Sequence, residues 1–194
     1  MQVTPETALI RSALVILMAT QLTACLPAVV GGAAAGGVMA ADRRTSGIYI
    51  EDQGIEIKAE KNIKDQLGDK IHVNVTSYNR NVLITGEADD EATKAKAEAI
   101  VKAVDNVKHV TNELAIDMKS TISNRNNDAY VTSKVKARML KEGRFPANYV
   151  KVVTESSVVY LMGLVTKQEA QDAVEIASGT DGVYRVVKVF EYID

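Results

Sequence analysis

Tryptophan is absent from this chain, and aromatic residues make up only 5% of it. Base-stacking platforms and large aromatic cages need more rings than that, so neither is expected. There is one cysteine, Cys25, which excludes an internal disulfide and a cysteine metal cluster. The net charge of −2 leaves no global basic surface for nucleic acid. The two histidines, His72 and His109, fall in different expected strands without a cysteine partner and read as surface positions. Ser156-Ser157 lacks the strand–turn–helix context of a nucleophile elbow. The pairs Gly31-Gly32 and Gly36-Gly37 lack the lysine and preceding strand of a phosphate loop. No catalytic residue, metal site or cofactor is expected, and the chain does not read as an enzyme.

What is present is a repeat. Val158-Val159-Tyr160-Leu161-Met162-Gly163-Leu164-Val165 is an apolar, β-rich run with a glycine near its end, followed at once by Thr166-Lys167-Gln168-Glu169. A threonine with a glutamate three residues on forms a capping box, so the segment reads as strand, sharp exit and helix start. Val82-Leu83-Ile84-Thr85-Gly86-Glu87-Ala88 has the same form, and Asp89-Asp90-Glu91 supplies the acidic helix start. Gly163 follows Gly86 by 77 positions, and that spacing holds within a residue over most of both halves. Two tandem domains of roughly 60 residues follow, near the lower limit for a self-sufficient core.

In the first repeat, Ile55, Ala59, Ile63 and Leu67 form one stripe of an amphipathic helix. A half-buried strand through Ile71, Val73 and Val75 pairs by a hairpin with Val82–Ala88. A helix over about 90–104 and a third strand over 107–116 complete the order αββαβ. The second repeat gives a helix over 129–142, strands over 149–154 and 158–165, a helix over 168–177 and a closing strand over 183–192. Each repeat is predicted to be α+β, with two helices covering one face of a three-stranded mixed sheet.

Ahead of the repeats, Arg11 precedes the apolar run 13–19, which has the length of a signal-peptide core and is too short for a stable membrane helix. Leu22-Thr23-Ala24-Cys25 then resembles a bacterial lipoprotein lipobox. The resemblance implies a signal peptide over 1–24, diacylation of the Cys25 thiol and acylation of the new amine. Leu26 after the cysteine, in place of aspartate, implies export to the outer membrane with the chain facing the periplasm. Residues 25–54 are expected to form the lipidated start and a flexible tether.

The αββαβ order, Gly86 and Gly163, and Asp105-Asn106-Val107 with Asp181-Gly182-Val183 are similar to tandem BON domains, at 55–118 and 130–194 with a linker over 119–129. Behind a lipobox, the pattern resembles the dual-BON outer-membrane lipoproteins. That resemblance implies binding of anionic phospholipid through the first helix of the second domain, in support of envelope integrity.

The first helices of the two repeats differ in charge. Over 55–70 four lysines are offset by four acids, whereas over 131–144 five cations face only Glu142. Tyr130, Lys134, Arg138, Lys141 and Phe145 are therefore the candidate contacts to a phosphatidylglycerol-like surface, with Val131, Val135 and Met139 packing inward. A second reading is a structural adaptor, in which this helix or a sheet edge docks an envelope protein such as the outer-membrane protein assembly machinery.

Overall fold

A computed structural model describes residues 42–194. The signal segment, Cys25 and the tether up to residue 41 lie outside the described residues. Helix α1 (Ser46–Leu67), strands β1 (Ile71–Tyr78) and β2 (Asn81–Ala88), helix α2 (Glu91–Lys102) and strands β3 (His109–Asn112) and β4 (Ala115–Ile116) make the first domain. Helix α3 (Ile122–Glu142), strands β5 (Val150–Glu155) and β6 (Val158–Val165), helix α4 (Lys167–Ser178) and strand β7 (Arg185–Tyr192) make the second. In each, the central strand pairs antiparallel with its hairpin partner and parallel with the strand after the second helix. The αββαβ order is the one expected.

The helix stripes carry the cores. Ile55, Ala59, Ile63 and Leu67 bury against Val82, Ile84, Val101 and Leu114. Val131, Val135 and Met139 bury against Val159, Leu161, Ala173 and Ile176. Helix α4 starts at the expected capping box: the Thr166 side chain accepts from the Glu169 N–H and Glu169 accepts from the Thr166 N–H. Helix α2 starts at Asp90, which accepts from the Thr93 N–H.

Three stretches differ from the sequence reading. Helix α3 begins at Ile122, capped by the Thr121 side chain, so 122–128 is helix where most of a linker over 119–129 was expected. Helix α1 begins at Ser46, not Ile55, so 46–54 is helix where a tether was expected. Thr45 caps it, and Asp52, one turn before Ile55, is buried and fully bonded. The third strand of the first domain is interrupted between Asn112 and Ala115. There the Asn112 side chain donates to the Lys94 carbonyl and accepts from the Leu114 N–H, which turns Leu114 into the core.

The faces of the sheets turned away from the helices pack on each other. Leu83 and Tyr78 of the first domain meet Tyr160 and Met162 of the second, with Val187 and Val189 beside them. Strands β2 and β6 are thus buried on both sides, which is why both read as near-continuous apolar runs. Polar contacts rim this junction: Lys151 pairs with Glu56 at 2.9 Å, Asn74 donates to Glu155 at 2.9 Å, and Asn79 and Asn81 donate to Glu191. Arg43, just ahead of α1, closes one end. It forms two 2.7 Å bonds to the Glu169 carboxylate, donates to the Leu164 carbonyl, and lies 3.8 Å over the Tyr149 ring. That pairing holds the Glu169 carboxyl below its ordinary range.

Candidate functional site

Helix α3 turns Asp128, Val131, Val135 and Met139 inward. By its 3.6-residue period the opposite face carries Tyr130, Ser133, Ala137, Leu140 and Lys141. Tyr130 is 64% and Leu140 75% exposed, a ring and a branched apolar side chain presented to solvent. Lys136 and Lys141 are exposed on opposite flanks of this face, with no ion-pair partner among the described residues.

Lys134 and Arg138 are outward too, but each is partly committed. Lys134 donates to the Asp181 carbonyl at 2.6 Å and sits 5.5 Å from the Tyr130 ring centroid. Arg138 donates to the Gly179 carbonyl and bonds Glu142 at 2.8 Å. Both cations therefore satisfy carbonyls just beyond the C-terminal end of α4, where positive charge is favoured. Arg144 is shared among Glu142, Asp172 and Glu175.

Phe145 does not belong to the outward face, a correction to the sequence reading. Gly143 ends the helix in the left-handed conformation at φ 62°, the chain reverses, and the Phe145 ring folds under into the second core. Leu140 and Lys136, which the sequence reading did not select, occupy the exposed surface instead. The i, i+4 relation of Lys136 to Leu140 was the available signal.

The charge contrast between α1 and α3 is also smaller in space than in sequence. The acids of α1 are largely drawn to the hairpin: Glu56 accepts from the Ser77 N–H and Glu60 from the Val75 N–H. What α1 leaves outward includes Tyr49, Ile50, Ile57, Lys58, Lys61 and Lys64, together with two exposed acids, Glu60 and Asp65, the latter paired with Lys61. Helix α3 differs in having no exposed acid between buried Asp128 and Glu142, and in presenting its tyrosine ring more fully, Tyr130 at 64% against Tyr49 of α1 at 37%.

His72 is not a free surface histidine. Opposite Glu87 in the β1–β2 register, its Nδ1 lies 2.9 Å from the Glu87 carboxylate. Glu155, from the end of β5, completes a group whose ligand-type atoms all lie within 4.8 Å of one another. Burial pushes the Glu155 carboxyl up from its ordinary value, with the Asn74 amide opposing that shift.

The BON-domain family profile matches residues 56–118 and 127–194. The chain belongs to the BON-domain family.

Among curated relatives, the outer membrane lipoprotein DolP of Haemophilus influenzae is 39% identical over 175 residues, 89% of this chain and 91% of that protein. A 21 kDa hemolysin of Actinobacillus pleuropneumoniae is 30% identical, over 78% of this chain and 79% of its own. The osmotically-inducible protein Y of Escherichia coli is 30% identical, over 72% of each. On the first of these kinships the chain is an outer-membrane lipoprotein with two BON domains. No helix among the described residues is long and apolar enough to cross a membrane.

The two BON domains share a device that sequence reasoning missed. Each hairpin turn places two non-glycine residues at positive φ: Asn79 and Arg80 at 52° and 67°, Ser156 and Ser157 at 49° and 62°. A buried aspartate one turn ahead of the helix stripe holds each turn. Asp52 accepts from the N–H groups of Asn79 and Arg80 and from the Ser77 hydroxyl, and pairs with Arg44 at 2.9 Å. Asp128 accepts from the N–H groups of Ser156 and Ser157. An aspartate at matching places in both repeats was the sequence signal.

Gly86 and Gly163 sit where the central strand crosses its hairpin partner. A Cβ on Gly86, at φ 118°, would lie 2.1 Å from the His72 carbonyl oxygen, and one on Gly163 would lie 2.4 Å from that of Tyr149. Backbone lies too close at both positions for any side chain.

Proposed function

We propose that this protein is held to the outer membrane by lipid on Cys25 and binds anionic phospholipid through α3 of its second BON domain. The observation that carries this reading is the outward face of α3, where exposed Tyr130 and Leu140 lie between Lys136 and Lys141 with no exposed acid among them. Apolar side chains enter the head-group boundary while lysines reach phosphate, the arrangement of an interfacial helix. Each lysine near an anionic surface contributes about 1 kcal/mol. The site is weak by itself, and the lipid anchor compensates by raising its local concentration at the membrane.

Replacing Lys136 and Lys141 together with glutamine is expected to remove about 2 kcal/mol, a roughly thirty-fold loss in affinity for phosphatidylglycerol vesicles. Co-sedimentation of the protein without residues 1–37 checks it, since the described residues 42–194 lie within one compact unit. Unchanged sedimentation of the double variant would rule α3 out as the contact.

The adaptor reading has one observation in its favour. Strand β7 pairs only with β6 among the described residues, so its outer edge is open, and Tyr184 and Ile193 beside it are exposed. Crosslinks from β7 to a single envelope protein in cells, with the K136Q/K141Q variant fully functional, would favour it over lipid contact.

A further inference from the structure

We propose that His72, Glu87 and Glu155 bind a divalent transition-metal ion of the zinc class across the junction of the two BON domains. The ligand set comes from three strands. The hairpin register sets His72 and Glu87 side by side on β1 and β2, and docking of the second sheet brings Glu155 of β5 to them. One imidazole nitrogen and two carboxylate oxygens lie within 4.8 Å of each other. Ligands around a tetrahedral zinc ion are separated by about 3.3 Å, so the group needs only side-chain closure to reach coordination distance.

Charge points the same way. Glu87 and Glu155 are 4% and 8% exposed, and no lysine or arginine forms an ion pair with either among the described residues. Two buried carboxylates next to one imidazole are undercompensated, since a protonated histidine supplies a single positive charge. A divalent ion balances both. The nitrogen ligand favours zinc-like ions over magnesium or calcium, which prefer oxygen alone.

The surroundings fit an exchangeable site. The Asn74 amide holds one oxygen of Glu155 at 2.9 Å, fixing the orientation of that ligand as supporting residues of metal sites do. His72, Asn74, Thr154 and Glu155 line an open cleft of about 380 Å³, which gives an ion a way in and room for water as the remaining ligand. Two ligands belong to the first domain and one to the second, so the ion would clamp the domains together.

The test is a zinc titration of the full-length protein in detergent micelles against a chromophoric chelator, with His72→Gln, Glu155→Gln and, as control, His109→Gln. The proposal expects one zinc per chain in the wild type and in H109Q, and at least thirty-fold weaker binding in H72Q and E155Q. X-ray absorption of the zinc-loaded wild type is expected to show nitrogen and oxygen ligands at about 2.0–2.1 Å with a single imidazole. That reading needs no variant to fold. Failure to retain one zinc per chain, binding that survives in H72Q and E155Q, or a shell with sulfur or without imidazole would each overturn it. These results do not depend on lipid, so they stand or fall apart from the α3 reading.

Discussion

Replacing Asp52 with alanine is expected to destabilise the first BON domain by about 3–5 kcal/mol, the range for breaking a buried, fully bonded charge pair. The carboxylate receives two turn N–H groups, the Ser77 hydroxyl and the Arg44 guanidinium, all within 2.9 Å. Its loss would leave those donors without their acceptor in a place water reaches poorly. It would also release a turn whose residues carry positive φ without being glycine. Two-residue hairpins of this kind prefer Asn-Gly, and Asn79-Arg80 and Ser156-Ser157 depart from that preference. Asp128→Ala should cost less, about 2–4 kcal/mol, because it removes two turn N–H bonds and no arginine pair. Urea unfolding followed by probes in each domain separates the two effects. Adding Ser157→Gly to the Asp128 variant should recover about 1 kcal/mol by relieving the left-handed strain. Equal loss with and without the glycine would show that the aspartate does not act through the turn.

Replacing Met162 with glutamate is expected to undock the two domains while leaving each folded. Met162 is fully buried between the sheets, in a cluster separate from the two helix-side cores. An unpaired carboxylate there costs several kcal/mol, and separation of the sheets is the way to hydrate it. The half-exposed Lys151–Glu56 pair at the rim is too weak to hold the faces against that cost. Small-angle scattering should show a longer particle, and amide shifts should change on β2 and β6 while the α1 and α3 core resonances persist. Loss of dispersion in the whole spectrum would instead mean that the second domain depends on the first to fold.

Much of the fold was readable because its signals are local. The capping box at Thr166 and Glu169, the stripes of α1 and α3, and the glycine-marked central strands each lie within a few residues. The start of α1 was not readable, because Gly47 and Gly54 imitate a linker and its stabilising partners lie across the structure. The docking of the sheets was written in Tyr160, Met162 and Leu164, the alternate positions of β6, but they read simply as a strand buried somewhere.

The candidate lipid face was legible only in part. Counting charges along α1 treated Glu56 as a free surface group, whereas it is half-buried and accepts from the Ser77 N–H of β1. Phe145 flanks α3 in sequence and leaves its surface in space, because Gly143 turns the chain under. The pairing of His72 and Glu87 follows from hairpin register, but the arrival of Glu155 depends on how two domains meet.

The most direct test of lipid recognition by the second domain is an amide-resolved NMR titration of 38–194 with phosphatidylglycerol micelles, and with phosphatidylcholine as control. The account predicts that resonances of 130–141 on α3 move with the anionic lipid alone, while those of 50–64 on α1 stay in place. Equal movement of both helices, or movement with either lipid, would contradict it.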